Sequence, residues 1–397
     1  MEDPPQHDPP RTRGRIVTKP IAKGWCPGAY RPMQSGDGLI VRVRPRFAHL
    51  SAEQALGLSH AAQRFGNGTI DLTSRSNLQI RGVTETVYDP LLSALAALNL
   101  LDAVPEIEAR RNILVAPDWS AADDTYTLTA ALSQQLDALP ELPTKFGFAI
   151  DTGIAPMLTD ASADIRIERD LCGALMLRAD GAALGRAVTR ATAVEAVLEL
   201  AHWFAQQAQG QSLRMAKLLQ TCPLPAVWRQ KAPAAPRSAL IPGTHSLGYV
   251  LGVPFGQIDA GALENLVRHS GATGLRLTPW RLFVLKTAAS GPWQGFINHP
   301  NAAELNVSAC PGAPACSAAT VETRQLAYAL AKRTQRSVHV SGCSKGCALP
   351  HKAEMTLVGR DGKFDLVHNG CSWDQPARSD LSQADVLTLA DETYHAL

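Results

Sequence analysis

Residues 36–83 read GDGLIVRVRPRFAHLSAEQALGLSHAAQRFGNGTIDLTSRSNLQIRGV, and residues 248–288 read GYVLGVPFGQIDAGALENLVRHSGATGLRLTPWRLFVLKTA. Each stretch spells strand, helix, strand in the same order. Alternating apolar residues in LIVRV predict the first strand. Ser51 with Gln54 is a capping-box start for the helix that follows. The GNG tripeptide breaks that helix, and TIDLTSRSNLQI predicts the second strand. In the later stretch an Asp-led helix and a Gly-rich break take the same places, so that Thr73 falls opposite Thr278. A chain that contains the same supersecondary unit twice is a duplicated fold, and this reading organises everything else in the sequence.

The remainder of each half also corresponds. ARRNILVAP (109–117) parallels ELNVSACPGAPAC (304–316), with Asn112 opposite Asn306. A helix follows each, in TLTAALSQQLDAL and VETRQLAYALAKR, and then a short strand, in TKFGFAID and SVHVSG. Hairpins on Asp-Gly turns are expected at Asp180-Gly181 and Asp361-Gly362, and they are read as equivalents. Helices over 191–209 and 381–396 close the halves. The expected fold class is α+β with α/β-type modules, in two pseudo-symmetric halves. The expected boundaries are a disordered tail at 1–23, a first half-domain at 24–88, a module at 89–221, a Pro-rich linker at 222–243, a second half-domain at 244–301 and a cysteine-bearing module at 302–397.

Net charge is +2 over 397 residues, so no overall field marks a nucleic-acid binder. No apolar run reaches the roughly 18 residues of a membrane span. The most apolar stretch, PLLSALAALNLL, reads as a buried helix. The amino-terminal MEDPPQHDPPRTRGR lacks the apolar segment of a signal peptide, and a cytoplasmic location with reduced thiols is expected.

Four of the eight cysteines fall in two pairs, Cys310-x5-Cys316 and Cys343-x3-Cys347. Four thiolates suit a structural zinc or an iron–sulfur cluster. Zinc knuckles favour closer pairs, whereas the small residues of PGAPA and SGCSKGC suit backbone approach to a bulky cluster. Gly342 and Gly346 permit positive φ there, and Lys345 offsets negative charge. Four unrelated thiols remain the plain alternative. Cys172 reads as strand core, Cys222 falls in the linker, Cys371 follows the last hairpin, and Cys26 sits in a Trp-, Pro- and Gly-flanked loop.

Basic residues recur near the ends of the repeated strands: Arg42 and Arg44 on one face of the first strand, Arg75 and Arg81 around Asn77 and Gln79, then Arg111, Lys145, Arg276 and Arg281. Singly each is a solvated charge. Together they suit a substrate with many carboxylates, which guanidinium groups grip bidentately.

The cysteine spacing with GCSKGC resembles the siroheme- and cluster-containing sulfite and nitrite reductases, over nearly the whole chain from Gly36. SRSNLQIRG, RRNIL and LPTKF resemble the segments whose Arg and Lys bind the oxyanion there, which singles out Arg75, Arg111 and Lys145. Those reductases commonly carry a second Lys where this chain has Gly147. CPGAYRPMQSGDGLIVRVRP, RLTPWR and SACPGAPAC are more similar to the precorrin-3B synthases, cluster proteins of the same fold. That resemblance implies a monooxygenase of aerobic cobalamin biosynthesis, hydroxylating precorrin-3A at carbon 20 and closing a γ-lactone with O2 and NADH. It implies a [4Fe–4S] cluster on Cys310, Cys316, Cys343 and Cys347, an anionic tetrapyrrole in the cationic cleft, and no nucleic acid or membrane partner. A second, mononuclear non-haem iron is chemically attractive, because cluster irons are already four-coordinate. Its ligands, and the catalytic residues, are not legible. The chain has no Gly-x-Gly-x-x-Gly after a strand, so NADH is expected to act through a separate reductase. Siroheme is expected only under the alternative, a sulfite or nitrite reductase. A non-enzymatic zinc scaffold is the remaining reading.

Overall fold

The computed structural model describes residues 27–238 and 240–394. The expected tail at 1–23 and the loop position of Cys26 lie outside those residues. Two compact units divide the described chain: Ser308–Ala313 with residues 318–394, and residues 27–307 with Pro314–Ser317.

The larger unit contains both half-domains. One five-stranded sheet runs in the order Met33–Ser35, Gly38–Val43, Leu78–Val83, Thr69–Leu72, Gln257–Asp259, and a second runs Gly243–His245, Gly248–Gly252, Leu282–Leu285, Gly274–Leu277, His49–Ser51. Each half therefore donates its short third strand to the edge of the other's sheet. The register is antiparallel in both places, with Ile258 opposite Ile70 and Leu275 opposite Leu50. Inward-facing residues of both halves form one core, in which Val41, Ile70 and Ile80 join Leu251, Leu275 and Phe283. Helices Ala52–Phe65 and Ala260–His269 pack on each other within it. The boundaries at 88 and 244 separate sequence, but the two half-domains share a core and two strands.

The repeat is visible atom by atom in the turn that follows the fourth strand. Thr73 N–H donates to Asn77 O at 2.9 Å, and Thr278 N–H donates to Leu282 O at 3.2 Å. Arg75 N–H and Trp280 N–H each donate to the threonine hydroxyl two residues before, both at 3.3 Å. Ser76 and Arg281 both take the left-handed conformation that closes such a turn. The first half adds a helix, Glu85–Ala97, which buries Leu91 and Leu95 from the apolar stretch singled out above. The matching residues 287–302 are irregular.

Each half continues into a second five-stranded sheet of identical order. In the first it is Ile113–Val115, Phe148–Ile150, Ile165–Arg169, Leu175–Ala179, Arg186–Ala187; in the second, Val307–Ala309, Val338–Ser341, Ala353–Arg360, Lys363–Gly370, Arg378–Leu381. In both sheets the second and third strands run parallel and the later neighbours antiparallel. Helix Ala193–Ala208 closes the first module, burying Phe204 beside Phe146 and Phe148.

This order corrects one correspondence. The equivalent of the Asp361-Gly362 hairpin is the turn at 170–174, not Asp180-Gly181, which leads to the edge strand. Asp361 and Gly362 both have positive φ, as a tight two-residue hairpin requires. The first half closes the same hairpin with an aspartate side chain: Asp170 Oδ1 accepts from Cys172 N–H and Ala174 N–H, both at 2.9 Å. Cys172 is therefore exposed in a turn and not strand core.

Candidate active site

The outward face of the first half-domain sheet is polar. Strand alternation puts Val41, Ile70 and Ile80 in the core and Arg42, Asp71, Gln79 and Arg81 on the opposite face. Arg42 lies directly across from Gln79 and donates to its Oε1 from Nε at 3.2 Å and Nη2 at 2.7 Å. Asn77 continues the same row.

The repeat shows what this face could have been. In the second half-domain Val250, Leu282 and Val284 stand where Arg42, Asn77 and Gln79 stand in the first. Those three are fully or nearly fully buried, packed with Leu114, Ala149, Met157 and Leu158 of the first module. One copy of the sheet face has become a packing surface, whereas the other retains hydrogen-bonding side chains. Burying such groups without partners costs several kcal/mol each, of order 2–7, so a sheet that keeps them is suited to a polar ligand.

The predicted cations separate into distinct environments. Arg44 lies beyond the end of its strand and is buried; it donates to Glu108 O at 2.7 Å, with its Nε 3.6 Å from the Glu108 carboxylate. It does not extend the Arg42 row. Arg111 is clamped on Asp102, donating from Nε to Oδ1 at 3.0 Å and from Nη2 to Oδ2 at 2.7 Å, and it also donates to Arg44 O. Its other surroundings form a cavity of about 230 Å³ with Arg46, Phe47 and Thr129. Arg81, only 3 % exposed, is held between Asp37 and Asp71. Arg281 donates to Val307 O at 2.8 Å, and burial lowers its pKa. Arg276 is stacked over Trp119 at 4.0 Å, on the second sheet.

Arg75 and Lys145 do come together. Arg75 Nη2 donates to Lys145 O at 3.0 Å and to Ser162 Oγ at 3.2 Å. Arg214, which sequence reading missed, donates to the same Ser162 hydroxyl at 3.3 Å and is paired with Asp164 at 2.8 Å. The Lys145 ammonium has no ion pair among the described residues. Beside it, Gly147 is tightly enclosed. A Cβ at this position would lie 2.6 Å from Asn112 Nδ2, and that amide donates to Phe146 O at 2.8 Å. The space that a side chain at position 147 would need is taken by the Asn112 side chain.

The cysteines lie where two neighbouring strands end. Cys310 follows Val307–Ala309, and its N–H donates to Val340 O at 3.3 Å; Cys343 and Cys347 follow Val338–Ser341. Cys310 is buried, Cys316 and Cys343 are half-buried, and Cys347 is exposed. Among the described residues no three or more His, Cys, Asp or Glu are drawn together as metal ligands. The backbone nevertheless fits a thiolate-bound cluster. Gly342 N–H donates to Cys310 Sγ at 3.1 Å, the kind of bond that stabilises a charged sulfur. Gly346 has φ +63°, as expected, but Gly342 does not have positive φ; it is required because a Cβ there would lie 2.5 Å from that of Ala319. The polar sheet also fixes the first loop: Ala315 O, one residue before Cys316, accepts from Arg81 Nη2 and Ser35 Oγ, both at 2.7 Å.

The duplicated half-domain fold agrees with known relatives. The family model for the nitrite/sulfite reductase ferredoxin-like half domain matches residues 31–98. A precorrin-3B synthase from Sinorhizobium sp. is 32% identical over 391 residues, covering 89% of this chain and 84% of the relative. The chain belongs to the precorrin-3B synthase family. A ferredoxin–nitrite reductase of Synechococcus elongatus is 25% identical, over 86% of this chain and 80% of its own. The Mycobacterium tuberculosis NirA protein superposes with a TM-score of 0.57 at 17% identity, covering 90% of this chain and 80% of its own, which speaks to the fold alone. The fold is thus that of the sulfite/nitrite reductases, with ferredoxin-like half-domains. No helix among the described residues is long and apolar enough to cross a membrane.

Proposed function

We propose that the chain is a precorrin-3B synthase in activity as well as in family: an O2-dependent monooxygenase of cobalamin biosynthesis that hydroxylates precorrin-3A at carbon 20 and closes a γ-lactone with the ring A acetate. The observation that carries this reading is the divergence of the two sheet faces, one packed and apolar, the other bearing Arg42, Asn77 and Gln79. A tetrapyrrole with many carboxylates is a ligand such a face can hold.

Cys310, Cys316, Cys343 and Cys347 would hold a [4Fe–4S] cluster. When bound, that group supplies one-electron transfer. Electron balance needs NADH, delivered through a separate reductase; one oxygen atom of O2 enters the product and the other leaves as water. A mononuclear iron remains part of the proposal, with no ligands assigned. The chain's own contribution is positioning. Arg42, oriented by Gln79, and Arg75, oriented by the Lys145 carbonyl, present guanidinium groups for substrate carboxylates. Lys145 adds a point charge beside them. Arg81 and Arg111 act one layer back: they are neutralised by aspartates and hold the Ala315 and Arg44 carbonyls in place.

The enclosed Gly147 supports this reading over sulfite or nitrite reduction, because it removes a second lysine from the oxyanion site. The experiment is anaerobic purification followed by iron and acid-labile sulfide analysis and incubation with precorrin-3A under isotopically labelled O2. Label in a lactone product is expected. A siroheme spectrum with nitrite or sulfite consumption would replace the proposal with the reductase. One zinc per chain and no sulfide would replace it with a scaffold.

A further inference from the structure

The second half-domain sheet carries a group of cations that the proposed reaction does not use. His49, on the strand lent by the first half, stands opposite Arg276 in the register. Lys286 begins just beyond the neighbouring strand, with its N–H bonded to Gly274 O. The three lie close enough for their charges to act on one another: Arg276 and Lys286, after burial, lower the pKa of His49, and burial followed by Arg276 lowers that of Lys286.

The repeat makes this arrangement informative. Arg276 occupies the place of Asp71, and Lys286 that of Arg81. The first half therefore has a neutral pair, with Asp37 added, whereas the second has two cations and a histidine. None of His49, Arg276 or Lys286 has an ion pair among the described residues. The nearby Asp118 is paired with Arg237, and Asp123 caps the helix at 124–133. Arg276 is 7 % exposed; its Nη1 donates to Pro117 O at 2.7 Å, and its buried Nε has no hydrogen-bond partner among the described residues. An orphaned buried guanidinium nitrogen is costly unless a ligand satisfies it. Beside it, His49 lines a cavity of about 280 Å³ together with Arg46, Gln54 and Asn99.

We infer that His49, Arg276 and Lys286 form a second binding site, distinct from the polar face of the first sheet, for the oxyanion group of a small ligand, either a carboxylate or a phosphoryl group. Like charges gathered with an unsatisfied donor are stabilised by such a group, which takes the role that Asp71 plays in the other half. Trp119 bounds the site on one side, stacked on Arg276 and edge-on to His49 at 5.8 Å.

The test is NMR titration of the His49 imidazole in the full chain, with inorganic phosphate in one arm and tricarballylate in the other. A bound anion stabilises the protonated ring, so either probe is expected to raise the His49 pKa. A shift with phosphate alone assigns a phosphoryl ligand, and a shift with tricarballylate alone assigns a carboxylate. Lys286→Met, a half-buried side chain whose loss leaves the sheet intact, should weaken the effective probe at least about tenfold. His49 titrating identically in buffer and with both probes would overturn the site. So would an unchanged probe affinity in a folded Lys286→Met protein. Turnover of precorrin-3A is not the readout, so failure here leaves the proposed reaction untouched.

Discussion

Gly147 offers the most direct check on how the first module shapes the site. Its backbone is pinned from two directions. The N–H donates to the buried Asp164 Oδ2 at 2.9 Å, and the carbonyl accepts from Asp164 N–H at 2.7 Å. An added methyl would lie 2.6 Å from Asn112 Nδ2 and 3.1 Å from Asn112 O. The backbone cannot retreat without breaking the Asp164 bonds, so the Asn112 amide must move and give up its 2.8 Å bond to Phe146 O. Overpacking of this kind costs about 1–3 kcal/mol, and a lost buried hydrogen bond adds about 1 kcal/mol. Gly147→Ala should therefore destabilise the protein by about 2–4 kcal/mol, read as a lower urea midpoint at constant slope. Combining it with Asn112→Ala should recover about 1–2 kcal/mol relative to additivity, because the space is then vacated. Gly147→Ala within about 0.5 kcal/mol of the parent, or a double mutant that is simply additive, would refute the reasoning. Gly147→Lys should be worse than Gly147→Ala and should not confer nitrite or sulfite reduction.

Arg81→Met leaves Asp37 and Asp71 without the guanidinium they share and should cost about 3–5 kcal/mol; it also removes one of the donors that hold Ala315 O, so acid-labile sulfide per chain should fall. Lys145→Met should raise the KM for precorrin-3A about tenfold or more while leaving urea stability within about 0.5 kcal/mol. Asp151 is buried, and burial, opposed by Leu158 and Met157 N–H groups and reinforced by Asp118, pushes its pKa up to about 6. The folded state thus binds this proton more tightly than the unfolded chain, whose value is about 3.9. Its contribution favours folding below pH of about 4 and is lost as pH rises through about 6. Asp151→Asn should flatten the stability profile across that window, measured by thermal midpoints; an unchanged slope would contradict the assignment.

The duplication was legible because its signals are local. Capping residues, Gly breaks and apolar alternation repeat within each copy, and the Thr73 and Thr278 turns share two hydrogen bonds. The exchange of His49–Ser51 for Gln257–Asp259 was not legible, since a three-residue strand carries no information about which sheet it joins. The mistaken pairing of two Asp-Gly turns has the same origin: one dipeptide serves two different connections, while an aspartate side chain replaces the glycine turn at 170–174. For the site, residue type was readable but partnership was not. Arg44, Arg81 and Arg111 look like Arg42 and Arg75 in sequence, yet Glu108, Asp37, Asp71 and Asp102 reach them from other strands and loops, some nearby in sequence and some far. Arg214 was missed because it lies outside every repeated strand. The signal that would have helped is comparison of the copies position by position, which sets Val250, Leu282 and Val284 against Arg42, Asn77 and Gln79.

The lent strands bear on how such a chain arose. A single half-domain, on its own, leaves Thr69–Leu72 as an open sheet edge and half of a core facing water. Its completed form is two copies trading their third strands across a dyad. A gene encoding one copy would thus have produced an obligate homodimer with two identical polar faces. Only after fusion could one face be filled with valine and leucine without destroying its twin. Joined in one chain, the two faces are free to differ in sequence, which two identical copies could not do.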